Sequence, residues 1–212
     1  MFENTSSSQA ASRPGGVQRR GKERRQAILD AAAAVLAEQG YEAATLKAIG
    51  ERAGIPTASV YYYFSDRHEV EAELMQSHMT ELGTLIGAAL DSPGVRTLHD
   101  AVDAVIDTPR DYFRRHRSCV ELWFAGEVAP IVRAFDESQA DRAWDFFIER
   151  GMVRAETPRL VAHIAWEAGN RLFEMAFRRS ATGDAATIEE ARRLVGAYLA
   201  TYAPAEPQQR RR

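Results

Sequence analysis

Residues 45–64 read TLKAIGERAGIPTASVYYYF. Hydroxyls and phenols crowd this short stretch: Thr45, Thr57, Ser59, Tyr61, Tyr62 and Tyr63, flanked by the cations Lys47 and Arg67. Such groups hydrogen-bond and pair with phosphate oxygens, and they read donor and acceptor patterns on base edges. The chemistry they suit is recognition of duplex DNA rather than bond making.

Two short helices must present them. Thr45 is a good N-cap for a helix ending near Ala53. Gly54 can take the positive φ of a tight turn without strain. A second helix is expected over Thr57–Tyr63, with Thr57 as its cap because Pro56 has no side-chain acceptor. Gly50 removes bulk where the two helices cross, and Ile49, Ala53, Ile55, Val60 and Phe64 supply apolar positions for a three-helix core. Three successive tyrosines cannot all face inward on a helix. The third member is a helix from about Lys22 to Gln39, with Ile28, Leu29, Ala32, Val35 and Leu36 in one stripe and Gly40 as its stop. This is the helix-turn-helix arrangement.

Charge points the same way. Residues 1–67 hold nine basic and seven acidic side chains, a balance of +2, whereas residues 68–209 sum to −8. The basic excess sits in Arg13, Arg19, Arg20, Lys22, Arg24 and Arg25, against the single acid Glu23. A basic arm on an acidic body favours a polyanion at one end only.

The remainder also reads as helices, so the fold class is all-α. Ser65, with Glu69 behind it, is expected to cap a fourth helix carrying Val70, Leu74, Leu82 and Leu85 inward and ending at Ser92-Pro93-Gly94. A fifth spans about Arg96–His116, kinked or split at Pro109. A short apolar segment, Cys119–Ala125, follows. Further helices run from Pro130 to about Arg150, from Thr157-Pro158 to about Ser180, and from Ala185 to Tyr202. The domain organisation expected is a disordered leader (1–18), a helix-turn-helix domain (19–67), a helical ligand-binding and dimerisation domain (68–204) and a disordered tail (205–212).

From Thr45 to Arg67 the residues resemble the DNA-binding signature of the TetR family. The matching positions are Thr45, Ile49-Gly50, Ala53-Gly54-Ile55, Val60-Tyr61-Tyr62-Tyr63-Phe64 and Arg67. Gly50 stands where Ala is usual, Pro56 where Ser is usual, Ala58 for a frequent Gly, and Arg67 for Lys. By position the resemblance implies phosphate contacts from Thr45, Tyr61 and Arg67. It implies base or nearby backbone contacts from Lys47, Thr57, Ser59 and Tyr62, with Tyr63 beside them and Arg20 of the arm reaching adjacent phosphates. It further implies a homodimer on palindromic operator DNA and a repressor released by a small molecule. A regulator without an inducer, one needing a corepressor, and an activator are the alternatives.

An inducer pocket is implied among the later helices, where aromatics are frequent. Trp123, Phe124, Trp144, Phe147, Trp166 and Asn170 are the expected lining. Asp103, Glu121, Glu127 and Glu167 recur beside them, so an apolar or aromatic compound is expected, with scope for positive charge. The last two helices carry more apolar stripes than one neighbour can cover, which predicts a dimer through an intermolecular four-helix bundle.

Catalysis has no motif. The five histidines are scattered, no zinc spacing, P-loop, GxSxG or GxGxxG occurs, and Cys119 has no evident partner base. No cofactor or metal is expected. The lone cysteine and the absence of a run near the ~18 apolar residues of a membrane span favour the cytoplasm.

Overall fold

The computed structural model describes residues 14–205 of the chain. Among these residues there are nine α-helices and no strand: α1 Pro14–Gln39, α2 Leu46–Ala53, α3 Thr57–Tyr63, α4 Arg67–Leu90, α5 Leu98–Arg115, α6 Arg117–Ala125, α7 Ala129–Glu149, α8 Arg159–Arg179 and α9 Ala185–Ala200. Most of the expected leader and tail lie outside the described residues. Residues 14–18 do not; they open α1, which starts well before Lys22. No helix among the described residues is long and apolar enough to cross a membrane.

The stripe on α1 is buried as its spacing requires. Ile28, Ala32, Val35 and Leu36 are almost fully covered, and they pack α1 against α2, α4 and α6. Large aliphatic side chains buried this way contribute about 1.5–3 kcal/mol each. Gly40, the expected stop of α1, takes positive φ, as do Gly151 after α7 and Gly183 before α9.

Helix α4 is the axis of the molecule. Val70 and Leu74 are buried near its start, Met79 and Leu82 in its middle, and Ile86 and Leu90 near its end. Its cap differs from expectation by one residue. Asp66, not Ser65, is the N-cap: its carboxylate accepts from the Glu69 backbone N–H at 2.9 Å. The Glu69 carboxylate reaches back to the Ser65 N–H at 2.7 Å and to the Ser65 hydroxyl at 3.1 Å. Asp66→Ala should therefore cost about 0.5–2 kcal/mol, read as a lowered urea midpoint at unchanged slope; an unshifted midpoint would show that Ser65 can replace it.

Helix α5 runs unbroken through Pro109, so the expected split does not occur. Its start is fixed by a capping box between Thr97 and Asp100, with bonds of 2.8 and 3.1 Å. Proline removes the bond that residue 109 would give to the carbonyl of Val105. Both residues line the internal cavity described below, away from the capped end. Helices α8 and α9 pack on each other, α7 lies on α8, and α5 lies on α9.

Candidate nucleic-acid interface and internal cavity

Helices α2 and α3 meet at a tight turn. Gly54 has φ 65°, and its N–H closes the end of α2. Gly50 is needed for close approach: a Cβ there would lie 2.9 Å from the Ile55 carbonyl oxygen and 3.1 Å from Val60. Thr45 caps α2, its hydroxyl accepting from the Ala48 N–H at 3.2 Å. The expected cap on α3 is absent. Pro56 is the N-cap, Thr57 is already helical, and no side chain caps this end.

The tyrosines divide as helix geometry demands. Val60 and Phe64 are fully buried, whereas Tyr61 is 57% exposed and Tyr62 is 84% exposed. Tyr63 packs against the core, edge-on to Tyr62 at 5.1 Å between ring centres. Lys47 is exposed and lies 3.9 Å from Glu51. Thr57 and Ser59 are half-buried, and Arg20 is exposed on the early turns of α1. The outward surface of α3 thus offers two phenols beside two short hydroxyls.

Two arginines grip the frame of this domain. Arg25 of α1 binds the Glu73 carboxylate and the Tyr63 carbonyl, and lies over the Phe64 ring at 4.0 Å. It belongs to the basic arm by sequence but acts as a staple between α1, α3 and α4. Arg67 binds the buried carboxylate of Glu71 through Nε and donates to the Tyr41 carbonyl at 2.6 Å. Its guanidinium stacks 3.9 Å from the Tyr41 ring. Two of its three nitrogens are engaged within the chain, so a phosphate contact from Arg67 would compete with Glu71 and the Tyr41 carbonyl. Glu71 is one turn along α4 from Arg67, so helical spacing itself supplies the competing partner.

A cavity of about 80 Å³ lies between α4, α5, α6, α7, α8 and α9. Trp123, Phe147, Trp166 and Asn170 line it as expected, joined by Phe113, Phe135 and Phe173. Phe124 and Trp144 do not. Phe124 stacks on Trp123 with Arg178 over its face at 5.0 Å. Trp144 donates to the Thr157 carbonyl at 3.0 Å and carries Arg159 over its face. The four acids expected near the pocket are elsewhere: Asp103 pairs with Arg192, Glu121 pairs with Arg117, and Glu127 and Glu167 are exposed. The carboxylate that does line the cavity is Asp136, which sequence reasoning missed.

Sequence profiles bear on identity. The profile described as bacterial regulatory proteins, tetR family, matches residues 28–74, and a tetracyclin repressor-like C-terminal domain profile matches residues 97–199. The chain belongs to the TetR family. It is similar to the HTH-type transcriptional activator FasR of Mycolicibacterium smegmatis, at 29% identity over 168 residues, 75% of this chain and 77% of the relative. It is also similar to the HTH-type transcriptional repressor KstR2 of Rhodococcus jostii, at 31% over 90 residues, 38% of this chain and 44% of the relative. The crystal structure of a TetR-family transcriptional regulator from Streptomyces coelicolor superposes with a TM-score of 0.64 at 29% identity, covering 84% of this chain and 99% of that one. The protein is a DNA-binding transcriptional regulator and not an enzyme, since that is the activity of the family.

Within this TetR-family body one further polar cluster is buried. His78 Nδ1 lies 2.8 Å from the Tyr112 hydroxyl, and Nε2 lies 3.1 Å from the Ser118 hydroxyl. Tyr112 donates to Glu81 at 2.9 Å, and His116 stacks on the Tyr112 ring at 4.1 Å. His78, Glu81 and His116 each bring a potential metal-ligand atom within 4.8 Å of the others. The Tyr112 hydroxyl already bridges His78 and Glu81, and both ring nitrogens of His78 are partnered within the chain. Burial raises both the Tyr112 hydroxyl and the Cys119 thiol, so both stay protonated at neutral pH.

Proposed function

We propose that the protein is a homodimeric repressor of palindromic operator DNA, released when a small apolar or aromatic molecule enters the cavity. One observation carries this reading: a single helix, α4, touches both sites. Met79 and Leu82 of α4 line the cavity. Two turns earlier, Glu69 and Glu73 of the same helix hold Arg25, which in turn holds the Tyr63 carbonyl of α3. A ligand that widens the cavity must move α4, and α4 carries the helix-turn-helix with it. The size of the response is bounded by the ligand's difference in affinity between the two arrangements.

The cavity volume supports such coupling. An engineered apolar cavity of about 150 Å³ admits benzene. At about 80 Å³ this one must expand to take any aromatic ring. Dimerisation through α8 and α9 has support in their outer faces. Leu160, Ile164 and Met175 of α8 and Leu194 of α9 are large apolar side chains left 42–65% exposed. With half-buried Ala168 and Leu172 they follow helical spacing along one seam. A cytoplasmic setting fits a DNA partner.

The experiment is an anisotropy titration of DNA sites selected from a random duplex library. Tyr61→Phe should weaken binding about tenfold or more, because it removes one exposed hydroxyl aimed at a phosphate and nothing from the core. The logarithm of affinity should fall linearly with the logarithm of salt. A flat salt dependence, or full affinity in Tyr61→Phe, contradicts the proposed interface. The second reading is an activator, favoured by the similarity to FasR. Transcription from a reporter bearing the selected site decides between them: repression falls on adding ligand, whereas activation requires the protein to raise transcription.

A further inference from the structure

Asp136 sits on α7 with its carboxylate turned into the cavity, amid a lining that is otherwise almost wholly apolar. Trp166 Nε1 donates to it at 2.8 Å. Burial raises its pKa; hydrogen bonding from Trp166 and Asn170 opposes the rise, and the nearby charges of Glu167 and Glu137 add to it. The charges that act on it are therefore acidic, and among the described residues no cation neutralises it. An ionised carboxylate left in such surroundings is costly unless a positive charge joins it. The aromatic side chains Trp123, Phe135, Trp166 and Phe173 line the same cavity. Aromatic faces attract cations, more strongly where water is excluded.

We propose that this cavity selects an organic cation, an ammonium group on an aromatic or branched apolar body, with its charge against Asp136 and its apolar part among those four aromatics. The inference rests on the cavity being the effector site and adds the charge class of the effector. An anionic ligand of the same shape would add a further negative charge to those of Asp136, Glu137 and Glu167. A neutral ligand would leave the carboxylate with Trp166 and Asn170 alone. The sequence pattern allowed a positive charge but pointed to other acids, because Asp136 is one of several along α7 and only the packing turns it inward.

The test uses three compounds of nearly one shape: phenethylammonium, phenethyl alcohol and phenylacetate. Trp123 and Trp166, two of the three tryptophans, line the cavity, so quenching of intrinsic fluorescence reports occupancy. The cation should bind at least about tenfold tighter than the alcohol, and the carboxylate should bind weakest. In Asp136→Asn the cation's advantage should shrink to about threefold or less. Alcohol or carboxylate binding as tightly as the cation overturns the charge assignment while leaving the cavity as a binding site. An advantage that survives in Asp136→Asn overturns the role of that residue. If none of the three binds, both the charge class and the effector reading fall. Should Asp136→Asn fail to fold, the order of the three compounds on the natural protein still decides the charge class.

Discussion

Replacing Ile164 and Leu194 together by arginine should convert the proposed dimer to monomers and lower operator affinity by at least about a thousandfold. Both side chains are nearly half exposed on the isolated chain, so the change removes little from the core. In a two-fold interface each substitution occurs twice, so four guanidinium groups would be brought into an apolar seam and lose water there. A dimer places two recognition helices one DNA turn apart, and the operator affinity comes from engaging both half-sites at once. Specific affinities of roughly 10⁻⁸ to 10⁻¹¹ M fall towards non-specific values when one half is lost. Sedimentation equilibrium gives the mass, anisotropy gives the affinity, and thermal melting at low concentration checks that the monomer remains folded. A folded double variant that stays dimeric would place the interface elsewhere. One that is monomeric yet binds operator normally would remove the need for a dimer.

Local signals carried the helix-turn-helix. Thr45, Gly54 and the apolar spacing of Ile49, Ile55, Val60 and Phe64 act within a few residues of one another, so their meaning survives without knowledge of distant contacts. The expected ends of α2 and α3 match the structure for that reason. The cap of α4 was harder, because Ser65 and Asp66 are adjacent and both types can cap; Glu69 bonds to one and is capped by the other. Arg67 is a different case. Position in a signature gives a residue's address, but Glu71 and the Tyr41 carbonyl, brought near by folding, decide what its guanidinium can do.

The cavity was legible only in part. Trp123, Phe147, Trp166 and Asn170 follow from aromatic content and helical face, but Phe124 is the neighbour of Trp123 and faces away. Trp144 lies one turn from Phe147, yet the Thr157 carbonyl, just before α8, accepts its indole N–H. On α7, Asp136, Glu137, Asp141 and Asp145 look alike in sequence. Asp141 and Asp145 bind Arg159 near the start of α8, while Asp136 turns to Trp166. Which acid enters the cavity depends on the register of α7 against α8, which is a tertiary fact.

The cluster around His78 should make the fold acid-sensitive. His78 is 7% exposed on α4 and faces Tyr112, Glu81 and His116, with Ser118 on its other nitrogen. Burial lowers its pKa first and the charge of His116 second, against an opposing pull from Glu81, to about 4 from the ordinary 6.5. The unfolded chain therefore binds a proton near pH 6.5 that the folded chain refuses until near pH 4. Stability contributed by the neutral ring is full above pH 6.5 and declines as pH falls through that interval. A shift of this size corresponds to about 3 kcal/mol, a large share of the roughly 5–15 kcal/mol that holds a domain together. His78→Gln removes the titrating ring. Its urea midpoint at neutral pH should drop, because the partners of both nitrogens are lost, but its further loss on going to pH 4 should be smaller than that of the natural protein. Equal acid losses in the two proteins would assign the sensitivity to other groups. Because Met79, the next residue of α4, lines the cavity, protonation at this point would loosen the same helix through which a ligand is proposed to reach the DNA-binding end. Acid and ligand should then weaken operator binding through one shared element, and His78→Gln should separate them, blunting the response to acid while the response to ligand remains.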